Sequence, residues 1–337
     1  MKQRMIRNLT VSEIGMGCMG FSHGYGKVPS EEYSVEAIRK AHDFGCTFFD
    51  TAEVYGDVVF YPGHNEQLVG KAVEGFRKEV VLATKLFLKP EELTSGATVY
   101  DVIRKHLEKS MTNLRTDYID LYYLHRVDER VALVDVAEAM GRLISEGWVR
   151  GWGLSQVGTD LLDKAHQVTP VTAVQNIYSM VERDCEKEIF PYCLEHNIGV
   201  VPFSPIASGF LSGKIKADTA FEKVDDVRKF VPQLQKENIV ANQPIIDLIS
   251  RYAEQKQATN AQISLAWMLH KYPNVVPIPG SKNQDRILEN LGASRVVLTS
   301  EEFQALDNAL NNLHVHGHRG NEESVQNGFG KKIKLEG

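Results

Sequence analysis

Three side chains capable of proton chemistry stand at the ends of apolar runs in the first half of this sequence, and a fourth lies in the segment after the first run. Asp50 closes Thr47-Phe48-Phe49, and Tyr55 follows five positions later. Lys85 closes Val80-Val81-Leu82-Ala83-Thr84, and His125 closes Ile119-Asp120-Leu121-Tyr122-Tyr123-Leu124. A carboxylate, a phenol, an ammonium and an imidazole can hold, give or take a proton beside a reacting oxygen. Each also has an ordinary reading. Asp50 caps the next helix, Tyr55 packs as a loop aromatic, Lys85 snorkels from a sheet end, and His125 is a satisfied core histidine. Asp50 and Lys85 also read as a buried ion pair between neighbouring strands. What favours chemistry is their collection. If the apolar runs are parallel strands, all four emerge at one mouth, and titratable groups gathered in this way mark functional sites.

The elements that must position them follow from the alternation of patterns. Ser30 is a good N-cap, with Glu31 and Glu32 in the first turn. Val35, Ala37, Ile38, Ala41 and Phe44 give an apolar stripe, and Gly45 stops the helix. Strands are then predicted at 47–49, 80–85, 119–125, 149–154, 171–175, 199–203, 275–278 and 295–298. Helices are predicted near 65–76, 99–114, 134–146, 159–168, 184–196, 244–255, 261–270, 284–291 and 300–310. Eight β-then-α units predict an α/β protein, a closed (β/α)8 TIM barrel, entered through a short β-hairpin over residues 4–17. No composition shift divides the chain, so residues 1–337 read as one domain. Segments 214–243 and 311–337 exceed ordinary connections and are expected near the barrel mouth. Gly15-Met16-Gly17-Cys18-Met19-Gly20 spells GxGxxG, but Phe21 to Pro29 is loop chemistry rather than a helix start, so no dinucleotide-binding turn is expected there.

Composition narrows the partners. A net charge of −6 and a pI near 6.0 argue against nucleic acid or an anionic membrane as the main partner. Hydrophobic residues make up 43% and charged residues 24%, the balance of a soluble globular chain. The start, Met1 to Arg7, carries no signal-peptide apolar region. The four cysteines, Cys18, Cys46, Cys185 and Cys193, have no CxxC or zinc spacing and read as reduced cytoplasmic thiols. No metal site is expected. Oligomeric state is left open.

The motifs resemble one family. Asp50-Thr51-Ala52-Glu53-Val54-Tyr55-Gly56 with Asn65-Glu66, Ala83-Thr84-Lys85 and Asp120 to His125 is similar to the signature of the aldo-keto reductases, in order and spacing, over about residues 5–310. The resemblance implies a barrel that binds NADPH without a Rossmann domain and reduces carbonyls to alcohols, with Asp50, Tyr55, Lys85 and His125 as the catalytic tetrad. The physics is coherent. A free phenol has a pKa of about 10 and is a poor acid at neutral pH. The Lys85 ammonium would lower that value, and Asp50 would keep Lys85 charged. Tyr55 would protonate the carbonyl oxygen as hydride reaches the carbon, and His125 would orient the carbonyl.

The same resemblance assigns the second half to the cofactor. Ser155, Gln156 and Gln175 would bind the nicotinamide carboxamide, though many relatives carry Asn where this chain has Gln156. Phe203 would stack on nicotinamide without a phenolic hydroxyl. Ser204, Pro205, Ile206, Ala207 and Ser208, with Lys214, would form the pyrophosphate-side loop. Gly280 permits close approach at a helix start. Ser281, Lys282 and Arg286 suit a ribose 2′-phosphate, the two cations sharing a helical face if the turn begins there, which favours NADPH over NADH. Glu289 and Asn290 would meet the adenine. Cys18 and Met19 fall where relatives touch the cofactor by backbone, and Asp50 borders it as well.

Substrate is less defined. Asp57 to His64 is an apolar loop, longer than usual, and with Tyr25, Arg126 and the tail it is expected to shape the pocket. Its walls suggest an aldehyde, ketone or quinone with an apolar body, a sugar or a steroid being left open; Arg126 could instead grip an acid group. Two rival readings differ in class. A nucleotide-sensing regulator of the same fold would bind the cofactor with little turnover. A metal-dependent barrel hydrolase would need ligands clustered at strand ends, where only His125 stands.

Overall fold

A period of two along each strand decides the architecture. In the computed structural model, which describes residues 1–93, 96–221 and 224–320, seven parallel strands are hydrogen-bonded in sequence order. They are β3 (Met16–Gly17), β4 (Phe48–Asp50), β5 (Val81–Leu86), β6 (Leu121–Leu124), β7 (Trp152–Ser155), β8 (Ala173–Gln175) and β9 (Gly199–Val200). One parity of residues, Phe48, Ala83, Leu121, Tyr123, Ala173, Val201, Val276 and Ile278, packs together inside the sheet. The other parity, including Phe49, Leu82, Tyr122 and Trp152, packs against the helices outside. The antiparallel hairpin β1 (Gln3–Ile6) and β2 (Leu9–Ser12) sends Ile6, Leu9 and Val11 into the inner cluster and plugs one end of the barrel.

Closure comes from residues 275–280. Val276 N–H donates to Val200 O at 2.8 Å and Ile278 N–H to Pro202 O at 3.1 Å. On the other side Gly15 N–H donates to Pro277 O at 2.9 Å, and Gly17 bridges Gly280 in parallel. This segment is the eighth stave of an α/β barrel. The approach requires small residues: a Cβ on Gly17 would lie 3.0 Å from the Ile278 carbonyl oxygen. The GxGxxG stretch therefore serves barrel closure.

Two strand assignments are corrected. The first stave is Met16–Gly17, read from sequence as the end of the hairpin, and its chain passes directly into the loop that faces the mouth. Residues 295–298 form no strand. Arg295 ends a short 3-10 turn, Gly292–Arg295, and Val297 is exposed.

All the helices but α7 lie close to their predicted places: α1 (Glu31–Asp43), α2 (His64–Val73), α3 (Val99–Leu114), α4 (Leu133–Ser145), α5 (Thr159–His166), α6 (Ile189–Glu195), α7 (Lys236–Ala241), α8 (Gln243–Lys256), α9 (Asn260–Lys271), α10 (Gln284–Leu291) and α11 (Ser300–Asn311). Capping explains their starts. The Ser30 hydroxyl accepts from Tyr33 N–H, and Thr98, Thr259 and Thr299 close reciprocal capping boxes with Asp101, Gln262 and Glu302. Helix α7 falls within the expected loop 214–243. Of the expected tail 311–337, residues 321–337 lie outside the described residues, as do 94, 95, 222 and 223.

Candidate active site

Strand parity carries the site residues inward. Asp50 is two positions beyond Phe48, Lys85 two beyond Ala83, His125 two beyond Tyr123, Gln175 two beyond Ala173 and Phe203 two beyond Val201. They form the layer just above the apolar filling, at the strand C-termini, where barrel enzymes place their chemistry.

The loop after β4 is bolted to β5 through its backbone. Thr51 N–H donates to Ala83 O and Glu53 N–H to Lys85 O, at 2.9 and 3.1 Å. The Glu53 side chain accepts from Phe87 N–H at 2.5 Å and pairs with His106 at 2.7 Å. Gly56 turns the chain at φ +100, where a Cβ would press on His64 and Ser22. These ties hold Tyr55 over the barrel.

All four expected catalytic residues meet. The buried Lys85 ammonium donates to Asp50, to Thr51 O at 2.7 Å and to Tyr55 Oη at 3.3 Å. Asp50 also accepts from Gln175 Nε2 at 2.8 Å. The Tyr55 ring meets His125 edge-on, centroids 5.8 Å apart. Burial pulls Lys85 down, but Asp50 and then Tyr55 hold its pKa above the ordinary ammonium value, so it is a cation. Burial pushes Asp50 up and Lys85 opposes that shift. Burial also pushes the Tyr55 phenol up; Lys85 and, more weakly, Arg126 pull it back, but the net direction is upward. The expected lowering by Lys85 is thus present as a contribution and is outweighed by desolvation. His125 is driven well below 6.5 by burial and by neighbouring Arg126, Lys85 and His23, so its imidazole is neutral.

The second half presents a different surface. Arg126 Nη1 donates to Ser155 Oγ at 3.0 Å and to His125 O at 2.5 Å. Gln156 sits at φ +55, and its side-chain oxygen accepts from Ile177 N–H at 2.7 Å. Phe203 packs against the inner cluster. Ser204, Ala207 and Ser208 all adopt positive φ, and the buried Ser208 hydroxyl has no partner among the described residues. Non-glycine residues held in that region cost of order 1 kcal/mol or more each and cluster at ligand clamps. Pro205 is buried and Ile206 packs on the outer core. Lys214 reaches Glu289 at 3.2 Å.

Helix α10 begins at Gln284, capped by Asn283, so Lys282 lies before it and the shared-face argument for Lys282 and Arg286 does not hold. Lys282 Nζ donates to the carbonyls of Tyr25 and Lys27, at 2.7 and 2.5 Å. Arg286 is exposed in the first turn, Ser281 accepts from Asn283 N–H, and Asn290 is buried. Cys18 is buried, its N–H given to Asp50 O at 2.8 Å and its carbonyl taken by Asn65 Nδ2 at 2.9 Å; an expected backbone contact there must share that carbonyl. Met19 opens the following 3-10 turn.

Two residues escaped the sequence reading. His23 lies with its ring 5.4 Å from that of Tyr55. Arg319 donates from Nε to Ser204 Oγ at 3.1 Å, bringing the start of the tail to the loop after β9. Recognising Met16–Gly17 as a strand would have marked His23 as a mouth residue; nothing in the sequence marks Arg319. The expected apolar loop 57–64 is exposed at Val58, Phe60 and Tyr61.

Comparison with known proteins agrees with this geometry. The model of the Aldo/keto reductase family matches residues 13–311. "Probable aldo-keto reductase 1" of Glycine max is 37% identical over 305 residues, covering 89% of this chain and 86% of that protein. The glycerol dehydrogenase of Gluconobacter oxydans superposes with a TM-score of 0.79 at 28% identity, covering 91% of this chain and 93% of the other. An aldo/keto reductase of Klebsiella pneumoniae, solved with NADP and acetate, gives 0.70 at 27% identity, covering 94% and 98%. With a barrel, a tetrad at its mouth and these relatives along nearly its whole length, the chain belongs to the aldo/keto reductase family of oxidoreductases.

Proposed function

We propose that this protein reduces an aldehyde, ketone or quinone to the alcohol with NADPH, Tyr55 acting as the general acid. The observation that carries the reading is the continuous chain from Gln175 through Asp50 and Lys85 to the Tyr55 hydroxyl, with a neutral imidazole beside it. Bound NADPH would supply hydride; the protein supplies position and charge. The residues present fit such a group. Ser208 offers an unmet hydroxyl in a loop of left-handed residues, and Ser155 and Gln175 border the tetrad. Phe203 would give the stacking face, Ser204 to Ser208 the pyrophosphate cradle, and Glu289 with Asn290 the adenine contacts. Lys282 and Arg286 would bind the 2′-phosphate. For Lys282 this means exchanging or sharing the carbonyls of Tyr25 and Lys27.

Within the site, His125 donates one hydrogen bond to the substrate oxygen and fixes its direction. Tyr55, kept protonated by burial, gives its proton to that oxygen as negative charge develops there. Lys85 then stabilises the phenolate, and Asp50 holds Lys85 in place. Desolvation makes these contacts stronger than they would be in water.

We read the chain as one catalytic domain whose mouth is bordered by 214–243 and the start of the 311–337 tail. Four free thiols support a cytoplasmic location. Among the described residues no helix is long and apolar enough to cross a membrane. The test is Tyr55→Phe: NADPH binding should remain while carbonyl reduction is lost, and unchanged turnover would refute the acid assignment.

A further inference from the structure

His23 is a second imidazole at the mouth, and the tetrad has no use for it. Its ring lies 5.4 Å from that of Tyr55, centroid to centroid, and that of His125 lies 5.8 Å from it, so both imidazoles border the phenol. His23 Nε2 and His125 Nδ1 are both buried and without a hydrogen-bond partner among the described residues. An imidazole nitrogen shielded from water and left unpaired costs free energy unless a ligand meets it.

The loop that carries His23 is held from several directions. His23 N–H donates to Met19 O at 3.2 Å. Ser22 is bound by Asn65 Nδ2 at 2.7 Å and by His64 at 2.9 Å. Gly24 N–H donates to the Asp225 carboxylate and Gly26 N–H to its carbonyl, both at 2.8 Å. Lys282 Nζ donates to Tyr25 O. A histidine fixed this firmly, with an unspent nitrogen beside the acid, is placed to contact substrate.

We propose, on the footing of the carbonyl-reductase reading above, that His23 contacts substrate and selects carbonyls carrying a second, neutral oxygen on the carbon next to the reacting one. Tyr55 and His125 hold the reacting oxygen; His23 Nε2 meets the neighbouring hydroxyl or keto oxygen. Reduction of a hydroxyketone adds hydride to the carbonyl carbon and the Tyr55 proton to its oxygen, giving a vicinal diol. The Asp225 carboxylate, which accepts from Gly24 N–H beside His23, disfavours a second carboxylate at that position.

The test compares 2-butanone, 1-hydroxy-2-butanone and 2-oxobutanoate as substrates. Alongside, calorimetry measures binding of the non-reducible amides butanamide and 2-hydroxybutanamide to the NADP-loaded protein. The hydroxyl should raise kcat/KM and amide affinity by about threefold to tenfold, the span of one neutral hydrogen bond. His23→Phe should bring both ratios close to one, chiefly through KM, and His23→Gln, which keeps a polar group near Nε2, should retain them. Equal binding of the two amides by the unaltered protein would overturn the proposal. So would a preference for 2-oxobutanoate, which would assign selection to Arg126. Amide discrimination without turnover of either neutral ketone would instead refute the reductase reading and leave the role of His23 standing.

Discussion

The two halves of the barrel mouth are built on opposite economies. On the side of β4 to β6 the charged groups satisfy one another: Lys85 is met by Asp50, Thr51 and Tyr55, and Asp50 by Lys85 and Gln175. On the side of β9 and α10, three residues hold left-handed backbone and the Ser208 hydroxyl is unmet. On the proposed mechanism the first half is set before any ligand arrives, as electrostatic preorganisation requires. The second stores strain and unmet polar groups, which a ligand can relieve. Chemistry and binding should therefore separate under mutation.

Tyr55→Phe is the strongest way to break the first half alone. Carbonyl turnover should fall by about 10²–10⁴-fold, the range for a general acid, with NADPH affinity near that of the unaltered protein. Steady-state rates and fluorescence titration measure the two.

Lys85→Met should damage both activity and stability, because it leaves the Asp50 carboxylate buried without its cation. Breaking such a pair costs about 3–5 kcal/mol, readable as a lower urea midpoint. Asp50→Asn with Lys85→Met should recover part of the stability and none of the turnover.

Lys282→Ala with Arg286→Ala should act on the second half only. NADPH affinity should drop by about tenfold or more, the worth of a charge-assisted contact, while NADH affinity changes little. Equal loss for both cofactors would refute the 2′-phosphate assignment.

The pH profile sharpens the picture of the first half. On the proposed mechanism, reduction needs neutral His125 and protonated Tyr55. His125 is held below 6.5, so the acid limb of kcat/KM should lie below that value. Tyr55 is held above 10.0, so the alkaline limb should lie above it. In Lys85→Met the ammonium's pull is gone, and any residual activity should show that limb moved further up.

Arg319→Ala is the mildest test. It removes one hydrogen bond to Ser204, so stability should fall by no more than about 1 kcal/mol, with a slight loss of NADPH affinity if the tail steadies the loop.

How much of this was legible in sequence differs between the same two halves. The tetrad could be read because Asp50, Lys85 and His125 each close a buried run, which strand parity turns inward together, and Tyr55 follows in the loop after the first. The first stave could not be read, since Met16–Gly17 is too short to show a period and is identified only by its partners Phe49 and Asp50. Residues 296–298 have strand-like composition but no neighbouring stave; the place is taken by 275–280. A shared face for Lys282 and Arg286 requires the helix to begin at Lys282, whereas the Asn283 cap starts it at Gln284, where the pattern predicts it. The Gln156 oxygen proved to be committed to the backbone of Ile177, a contact between distant strand ends that spacing does not reveal. His23 depends on the same kind of tertiary meeting.

The most direct test is titration of the purified protein with NADPH and, in parallel, NADH, followed by nicotinamide absorbance with a panel of aldehydes, ketones and quinones. Tighter binding of NADPH than NADH, and consumption of NADPH with at least one carbonyl, is the predicted result. Absence of NADPH binding would contradict the assignment of the second half of the barrel, and binding without turnover across the panel would contradict the assignment of the first.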